Sequence, residues 1–125
     1  MPKILVIDNE ENLRKILQVN LTASGYEVIT ASNGEEGLAL MEREKPDLVL
    51  LDIKMPGISG WEVLNILNSR PNLKDIPVII MTAFLKSTEE ARMKTTGVTG
   101  FLAKPFDVQE LLDQVGKVHS NKKSG

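Results

Sequence analysis

The chain has no cysteine, no apolar run long enough to cross a bilayer and no excess of positive charge. The lack of cysteine excludes disulfides and thiolate metal sites, and it fits a reducing compartment. Its apolar runs are far shorter than the roughly 20 residues of a membrane span, and the run at residues 4–7 is too short for a signal peptide. We therefore expect a cytoplasmic protein with no membrane segment.

Charge and motif content exclude two further classes of protein. Fifteen basic residues stand against 17 acidic residues, and the net charge of -2 provides no electrostatic footprint for nucleic acid. Neither G-x-G-x-x-G nor G-x-x-x-x-G-K-[ST] occurs, which disfavours a nucleotide-binding protein. We expect no direct contact with nucleic acid.

The length predicts a single domain. A chain of 125 residues with 42% hydrophobic residues is long enough to bury one substantial core. The last residues are polar, with two adjacent lysines. We expect residues 1–119 to form the domain and residues 120–125 to be a disordered tail or the start of a linker.

Short apolar runs alternate with helical patterns along the chain. The predicted strands are residues 3–7, 26–30, 47–52, 77–82 and 99–103, and a helix follows each of them. Five residues can cap the helix starts, and all but the first of them are followed three residues later by glutamate: Asn9, Asn33, Ser59, Ser87 and Asp107. The fourth helix, which begins at Ser87, has few apolar positions.

This alternation is typical of a parallel sheet covered by helices on both faces. Since crossovers are right-handed, it predicts an α/β, doubly wound, flavodoxin-like fold with five helices and a five-stranded parallel sheet in the order 2-1-3-4-5. The first and third strands then lie side by side where the winding reverses. Ligands bind outside the carboxyl ends of the strands at such a point.

Four of the predicted strands end on, or directly before, a reactive side chain: Asp8, Asp52, Thr82 and Lys104. Each has an ordinary explanation by itself, since Asp8 could cap a helix, Asp52 could belong to a turn and Thr82 could be a strand residue. Together they would gather two carboxylates, a hydroxyl and an ammonium at one edge of the sheet. Such a set can hold a metal ion and a phosphoryl group.

At these positions the chain resembles the receiver domains of two-component response regulators. The similarity covers nearly all of residues 3–118, and it is carried by Ile7-Asp8-Asn9-Glu10, Leu51-Asp52-Ile53-Lys54-Met55-Pro56-Gly57, Met81-Thr82-Ala83 and Lys104-Pro105-Phe106. The resemblance implies that Asp52 accepts a phosphoryl group from a histidine kinase or phosphotransfer domain. Lys104 and the Thr82 hydroxyl would contact the phosphoryl oxygens, and the small Ala83 would leave room for them.

The resemblance also implies a bound Mg²⁺. Its ligands would be Asp8, Asp52 and the backbone carbonyl of Lys54, which suits a cation that takes one or two carboxylates and keeps several waters. Where the family usually has a second acidic residue, this chain has Asn9. Asn9 could hold the metal through a water but lacks a negative charge, so we expect a weakened Mg²⁺ affinity.

Other family features map onto named positions. Phe101 stands where the family has an aromatic switch residue, so phosphorylation is expected to move Thr82 and Phe101 and to alter the surface of the fourth helix, fifth strand and fifth helix. A downstream effector or output domain would recognise that surface. Lys54 and Phe84 would shield the acyl phosphate from water, and the Lys104–Pro105 peptide bond is expected to be cis.

Two other functions stay open at this point. A degenerate receiver could bind partners without phosphorylation, which a disabling effect of Asn9 would favour. A Mg²⁺-dependent phosphatase with an aspartyl nucleophile would need an acid or base where Lys54 stands, so it is the less favoured alternative. We expect no enzyme beyond catalysis of the domain's own phosphorylation and dephosphorylation, and the sequence leaves the kinase, the output and the oligomeric state open.

Overall fold

A computed structural model describes residues 2–83 and 98–124, the last six as backbone only. Its strands are β1 (Lys3–Ile7), β2 (Glu27–Ala31), β3 (Leu48–Asp52), β4 (Val78–Thr82) and β5 (Gly100–Ala103). Its helices are α1 (Glu11–Ala23), α2 (Gly34–Glu44), α3 (Gly60–Ser69) and the last helix (Val108–Ser124). The helix predicted to begin at Ser87 lies outside the described residues.

The five strands form one parallel sheet in the order β2-β1-β3-β4-β5. This confirms the predicted doubly wound topology. Each strand after β1 starts one residue later than the sequence predicts. The ends of β1, β3, β4 and β5, where the candidate site residues lie, are at their predicted positions.

Residues of the central strands alternate between two apolar layers. Leu5 and Leu51 pack with α2 and α3 on one face, whereas Val6 and Leu50 pack with α1 and the last helix on the other. Every residue of β3 and β4 is buried. Continuous apolar runs are what strands covered on both faces require, so the prediction of helices on both sides of the sheet is confirmed.

Local capping starts several helices as predicted. A side-chain oxygen accepts a hydrogen bond from the backbone N–H three residues later at Asn33, Ser59 and Asp107. Ser59 and Glu62 complete a reciprocal capping box at the start of α3. The cap predicted at Ser87 lies outside the part of the chain that the structure covers.

The prediction that Asn9 caps α1 is wrong. The capping position is Glu10, which makes no side-chain cap hydrogen bond. Instead, Asp8 Oδ1 accepts a hydrogen bond of 2.8 Å from the Glu10 backbone N–H. A local turn held by the aspartate therefore leads the chain into α1, and the helix begins one residue later than an Asn9 cap would allow.

The last helix continues beyond the final apolar position of its predicted pattern, Val118. Its backbone remains helical to Ser124. No glycine or proline interrupts residues 119–124. None of the described helices is both long enough and apolar enough to span a bilayer.

Two neighbours in α1 provide a test of this packing. Leu17 is 1% exposed and Ile16 is 53% exposed. Leu17→Ala should lower the free energy of unfolding by about 2–5 kcal/mol, because it removes buried methyl groups and leaves a cavity. Ile16→Ala should change it by less than about 0.5 kcal/mol. Urea unfolding measures both, and similar losses in the two variants would contradict the observed face of α1.

Candidate functional site

The carboxyl edge of the sheet brings the predicted side chains to one place. Asp8 directly follows β1, Asp52 ends β3, Thr82 ends β4, and Lys104 directly follows β5. Thr82 is paired in register with Ala103. The parallel order therefore puts all four residues at the same end of adjacent strands.

The Lys104 ammonium forms ion pairs with two buried carboxylates at this edge. Lys104 Nζ lies 2.7 Å from Asp8 Oδ2 and 3.4 Å from Asp52 Oδ2. Asp8 is fully buried and Asp52 is 5% exposed. One positive charge does not balance two negative charges, so the site retains a negative charge and suits a further cation.

Backbone and side-chain donors hold the two carboxylates in place. The Glu10 backbone N–H donates to Asp8 Oδ1, and the Lys54 backbone N–H donates to Asp52 Oδ1 at 3.3 Å. Arg14 Nη1 donates to the Asp8 carbonyl at 2.7 Å. Because each carboxylate has one oxygen on a backbone donor, the other oxygen is directed to Lys104.

The first turn of α3 packs directly against the backbone of Asp52. The Gly60 N–H donates to the Ile53 carbonyl at 2.8 Å, and a Cβ atom at Gly60 would overlap the Asp52 carbonyl oxygen. The sequence analysis did not identify Gly60 or Arg14 as site-supporting residues. A glycine directly after the Ser59 cap was the available signal for a close backbone approach.

Burial and charge shift the pKa values of two site groups. Burial raises the pKa of Asp52 and the Asp8 carboxylate adds to the rise, whereas Lys104 opposes it. Burial acts to lower the pKa of Lys104, but its hydrogen bond to Asp8 and the charge of Asp52 outweigh burial, so the net pKa is raised. Lys104 is therefore a cation throughout the physiological pH range.

The two predicted switch residues lie on neighbouring strands. Thr82 is buried, and its carbonyl accepts a 2.8 Å hydrogen bond from the Lys104 backbone N–H. Phe101 is partly buried against the apolar layer under α2 and α3. The Lys104–Pro105 bond is cis as predicted. Phe84, predicted to shield the site, lies outside the described residues.

A surface groove of about 330 Å³ opens beside Lys104. It lies between the start of α1 and the segment that joins β5 to the last helix, and its lining residues are Glu10, Leu13, Ala83, Lys104, Pro105 and Phe106. The groove provides an approach to the edge of the sheet from solvent.

The acidic residues present fit a magnesium ion. Across residues 2–83 and 98–124, no group of three or more acidic or histidine side chains is arranged to hold a metal. Mg²⁺ needs no such cage, because it uses one or two carboxylates and retains several waters. Asp8 and Asp52, which already share one cationic group, are carboxylates of the kind that this ion takes.

Comparison with known families agrees with this architecture. The family model for the response regulator receiver domain matches residues 4–116. The chain therefore belongs to the response regulator receiver family. It is a receiver domain of two-component signalling, in agreement with the resemblance of its motifs.

Curated relatives include both short and longer regulators. The polar-differentiation response regulator DivK of Brucella anthropi is 39% identical, over 92% of this chain and 94% of that protein. The phosphate regulon transcriptional regulatory protein PhoB of Rhizobium meliloti is 38% identical, over 92% of this chain and 51% of that protein. The chain spans about half the length of several such transcriptional regulators.

Solved structures share the fold over almost the whole chain. The chemotaxis protein CheY4 of Vibrio cholerae superposes with a TM-score of 0.89 at 30% identity, covering 94% of this chain and 98% of that one. The response regulator TrrA of Thermotoga maritima, solved in complex with Mg(2+)-BeF, gives a TM-score of 0.83 at 39% identity, covering 94% and 99% of the two chains.

The surplus carboxylate predicts a stabilising substitution. In the absence of divalent cations, Asp52→Asn should raise the free energy of unfolding near neutral pH by about 1 kcal/mol or more. The amide oxygen can still accept a hydrogen bond from the Lys54 backbone N–H, and one buried carboxylate, that of Asp8, then faces the ammonium. Chemical denaturation measures the change, and Asp75→Asn on the exposed surface serves as the control.

The pH dependence of this effect has a definite sign. The folded-state pKa of Asp52 is raised above the ordinary value of 3.8, so folding favours its protonated form. Its contribution to stability is present below pH 3.8 and is lost as the pH rises through the folded-state pKa. The advantage of Asp52→Asn should therefore be small near pH 3.8 and grow as the pH rises. An advantage that shrinks toward neutral pH would contradict the raised pKa.

Proposed function

We propose that this receiver domain accepts a phosphoryl group on Asp52 from a phosphohistidine of a histidine kinase or phosphotransfer protein. The observation that carries the proposal is the pairing of Asp52 and Asp8 with the single ammonium of Lys104 at the carboxyl edge of the sheet. The groove beside Lys104 offers the donor a path to this edge.

Asp52 is suited to the nucleophilic step. An Asp52 carboxylate oxygen forms a bond to phosphorus while the nitrogen–phosphorus bond of the donor breaks. The imidazole leaves with the electron pair of that bond and takes up a proton from water. The ionised carboxylate needs no general base, and the product is an acyl phosphate.

Charge neutralisation is the main requirement of the transfer. The incoming group is dianionic, and its oxygens need cationic and hydrogen-bonding partners in line with donor and acceptor. Lys104 would pair with one oxygen and the Thr82 hydroxyl would donate to another.

Asp8, Asp52 and the Lys54 carbonyl would hold Mg²⁺, with Asn9 acting through a water. Magnesium would neutralise charge on the transferred group. The relative TrrA was solved in complex with Mg(2+)-BeF, which supports magnesium as the cation.

The signal would leave the site through Thr82 and Phe101. Movement of Thr82 toward the phosphoryl group would free space for Phe101, which is partly buried on the neighbouring strand. The changed surface would include β5, the last helix and the helix predicted to begin at Ser87. A downstream effector or output domain would bind there, as the names of the longer transcriptional relatives suggest.

The first test is intact-mass spectrometry after incubation with acetyl phosphate and Mg²⁺. The wild-type protein should gain the mass of one phosphoryl group, and the gain should disappear in Asp52→Ala and in a magnesium-free sample. Asp75→Asn should be phosphorylated like the wild type, because Asp75 is exposed and precedes β4, whereas Thr82 lies at the other end of that strand.

Different failures of this experiment have different meanings. A gain that persists in Asp52→Ala would assign phosphorylation to another residue. No gain in a folded wild-type protein would favour a phosphorylation-independent interaction module. Lys54, two positions after Asp52, contributes a backbone N–H to that carboxylate, and the phosphatase stays the less favoured alternative.

The second test concerns the switch. Addition of beryllofluoride and Mg²⁺ should shift the backbone amide resonances of β5 and the last helix in a heteronuclear NMR spectrum, because Phe101 and Lys104 connect these elements to Asp52. Asp52→Ala should abolish the shifts. A spectrum that changes only beside Asp52 would refute the proposed transmission through Phe101.

A further inference from the structure

Because position 9 is asparagine, the carboxyl edge of the sheet has one negative charge fewer than the family pattern. The next residue, Glu10, lies close to this edge. We propose that Glu10 supplies the acidic charge that Asn9 does not, stabilising a bound divalent cation through water. This inference rests on the proposed Mg²⁺ site, and it adds a residue whose function the family pattern does not specify.

The contacts of Lys104 locate the Glu10 carboxylate. Glu10 Oε1 lies 3.7 Å from Lys104 Nζ, the same nitrogen that contacts Asp8 at 2.7 Å and Asp52 at 3.4 Å. Three carboxylates therefore surround one ammonium. A cation that enters between Asp8 and Asp52 would lie within the field of the third carboxylate.

Backbone hydrogen bonds hold Glu10 beside Asp8. Its N–H donates to Asp8 Oδ1, and its carbonyl accepts from the Arg14 N–H at 3.0 Å. The Glu10 side chain is 63% exposed, so its longer stem is free to turn toward the site or toward water. The neutral Asn9 side chain is exposed as well and brings no charge.

Glu10 acts through water and not as a direct ligand. Within the described residues, no group of three acidic side chains, including the three around Lys104, is arranged to hold a metal ion directly. Magnesium retains several of its waters in protein sites, and these waters donate hydrogen bonds to nearby carboxylates. A carboxylate on a long, exposed side chain suits this outer position.

Glu11 provides a matched control. It is also an exposed glutamate at the start of α1, but its carboxylate pairs with Lys15 at 3.4 Å along the helix. Glu10 and Glu11 share charge and length. Glu10 stands at the extended capping position and Glu11 in the first turn of α1, and they differ in the cation that each one faces. A general effect of acidic residues near a helix start would be the same for both.

The experiment is calorimetric titration of Mg²⁺ into the full chain without phosphoryl donor. Glu10→Gln should weaken binding about five-fold, since a nearby charge in a largely hydrated position contributes about 1 kcal/mol. Glu11→Gln should change the affinity less than about two-fold. Asn9→Asp in the Glu10→Gln background should restore at least the wild-type affinity, because it returns a carboxylate to the family position.

The outcomes separate this inference from the proposed function. Wild-type affinity in Glu10→Gln, with circular dichroism showing a folded protein, would overturn the role of Glu10 and leave the Mg²⁺ site intact. Equal losses in the Glu10 and Glu11 variants would overturn it too. A wild-type protein that binds no Mg²⁺ and takes up no phosphoryl group would overturn the proposed function together with this inference.

Discussion

The shared ammonium of Lys104 is the interaction on which the site depends. Burying a carboxylate is costly unless a charge partner and hydrogen bonds accompany it, and here one partner serves Asp8 and Asp52. Backbone donors satisfy the other oxygens, but the charge remains unbalanced. Burial raises the pKa of Asp52, and the like charge of Asp8 adds to the rise. The folded site therefore carries excess negative charge, which favours the binding of a cation.

The doubly wound topology makes this unbalanced cluster possible. Asp8 and Asp52 are far apart in the chain and meet because β1 and β3 are neighbours, whereas Lys104 reaches them from the far side of β4. The apolar residues of β1, β3 and β4 are buried between two helical layers. Their burial is the large favourable contribution that offsets the cost of placing like charges at the edge of the sheet.

Much of this arrangement was predictable from the sequence, since uninterrupted apolar runs mark buried parallel strands and each run ends at Asp8, Asp52, Thr82 or Lys104. The failures have local or tertiary causes. Asn9 is a good capping residue by type, but the Asp8 carboxylate already binds the N–H that leads into α1. The close approach of Gly60 to Asp52 depends on how α3 packs, which no local pattern records.

This chain has Asn9 where the family usually has an acidic residue, and the difference shows how far such a site depends on residue identity at one position. A direct ligand must stand at a fixed distance from the metal, whereas a water-mediated charge acts over several ångströms and falls off slowly with distance. Glu10 has the length to place its carboxylate near Lys104 from the next position in the chain. With the proposed role of Glu10, loss of an acid at position 9 does not by itself make the domain degenerate, because a carboxylate at the next position would still attract the cation.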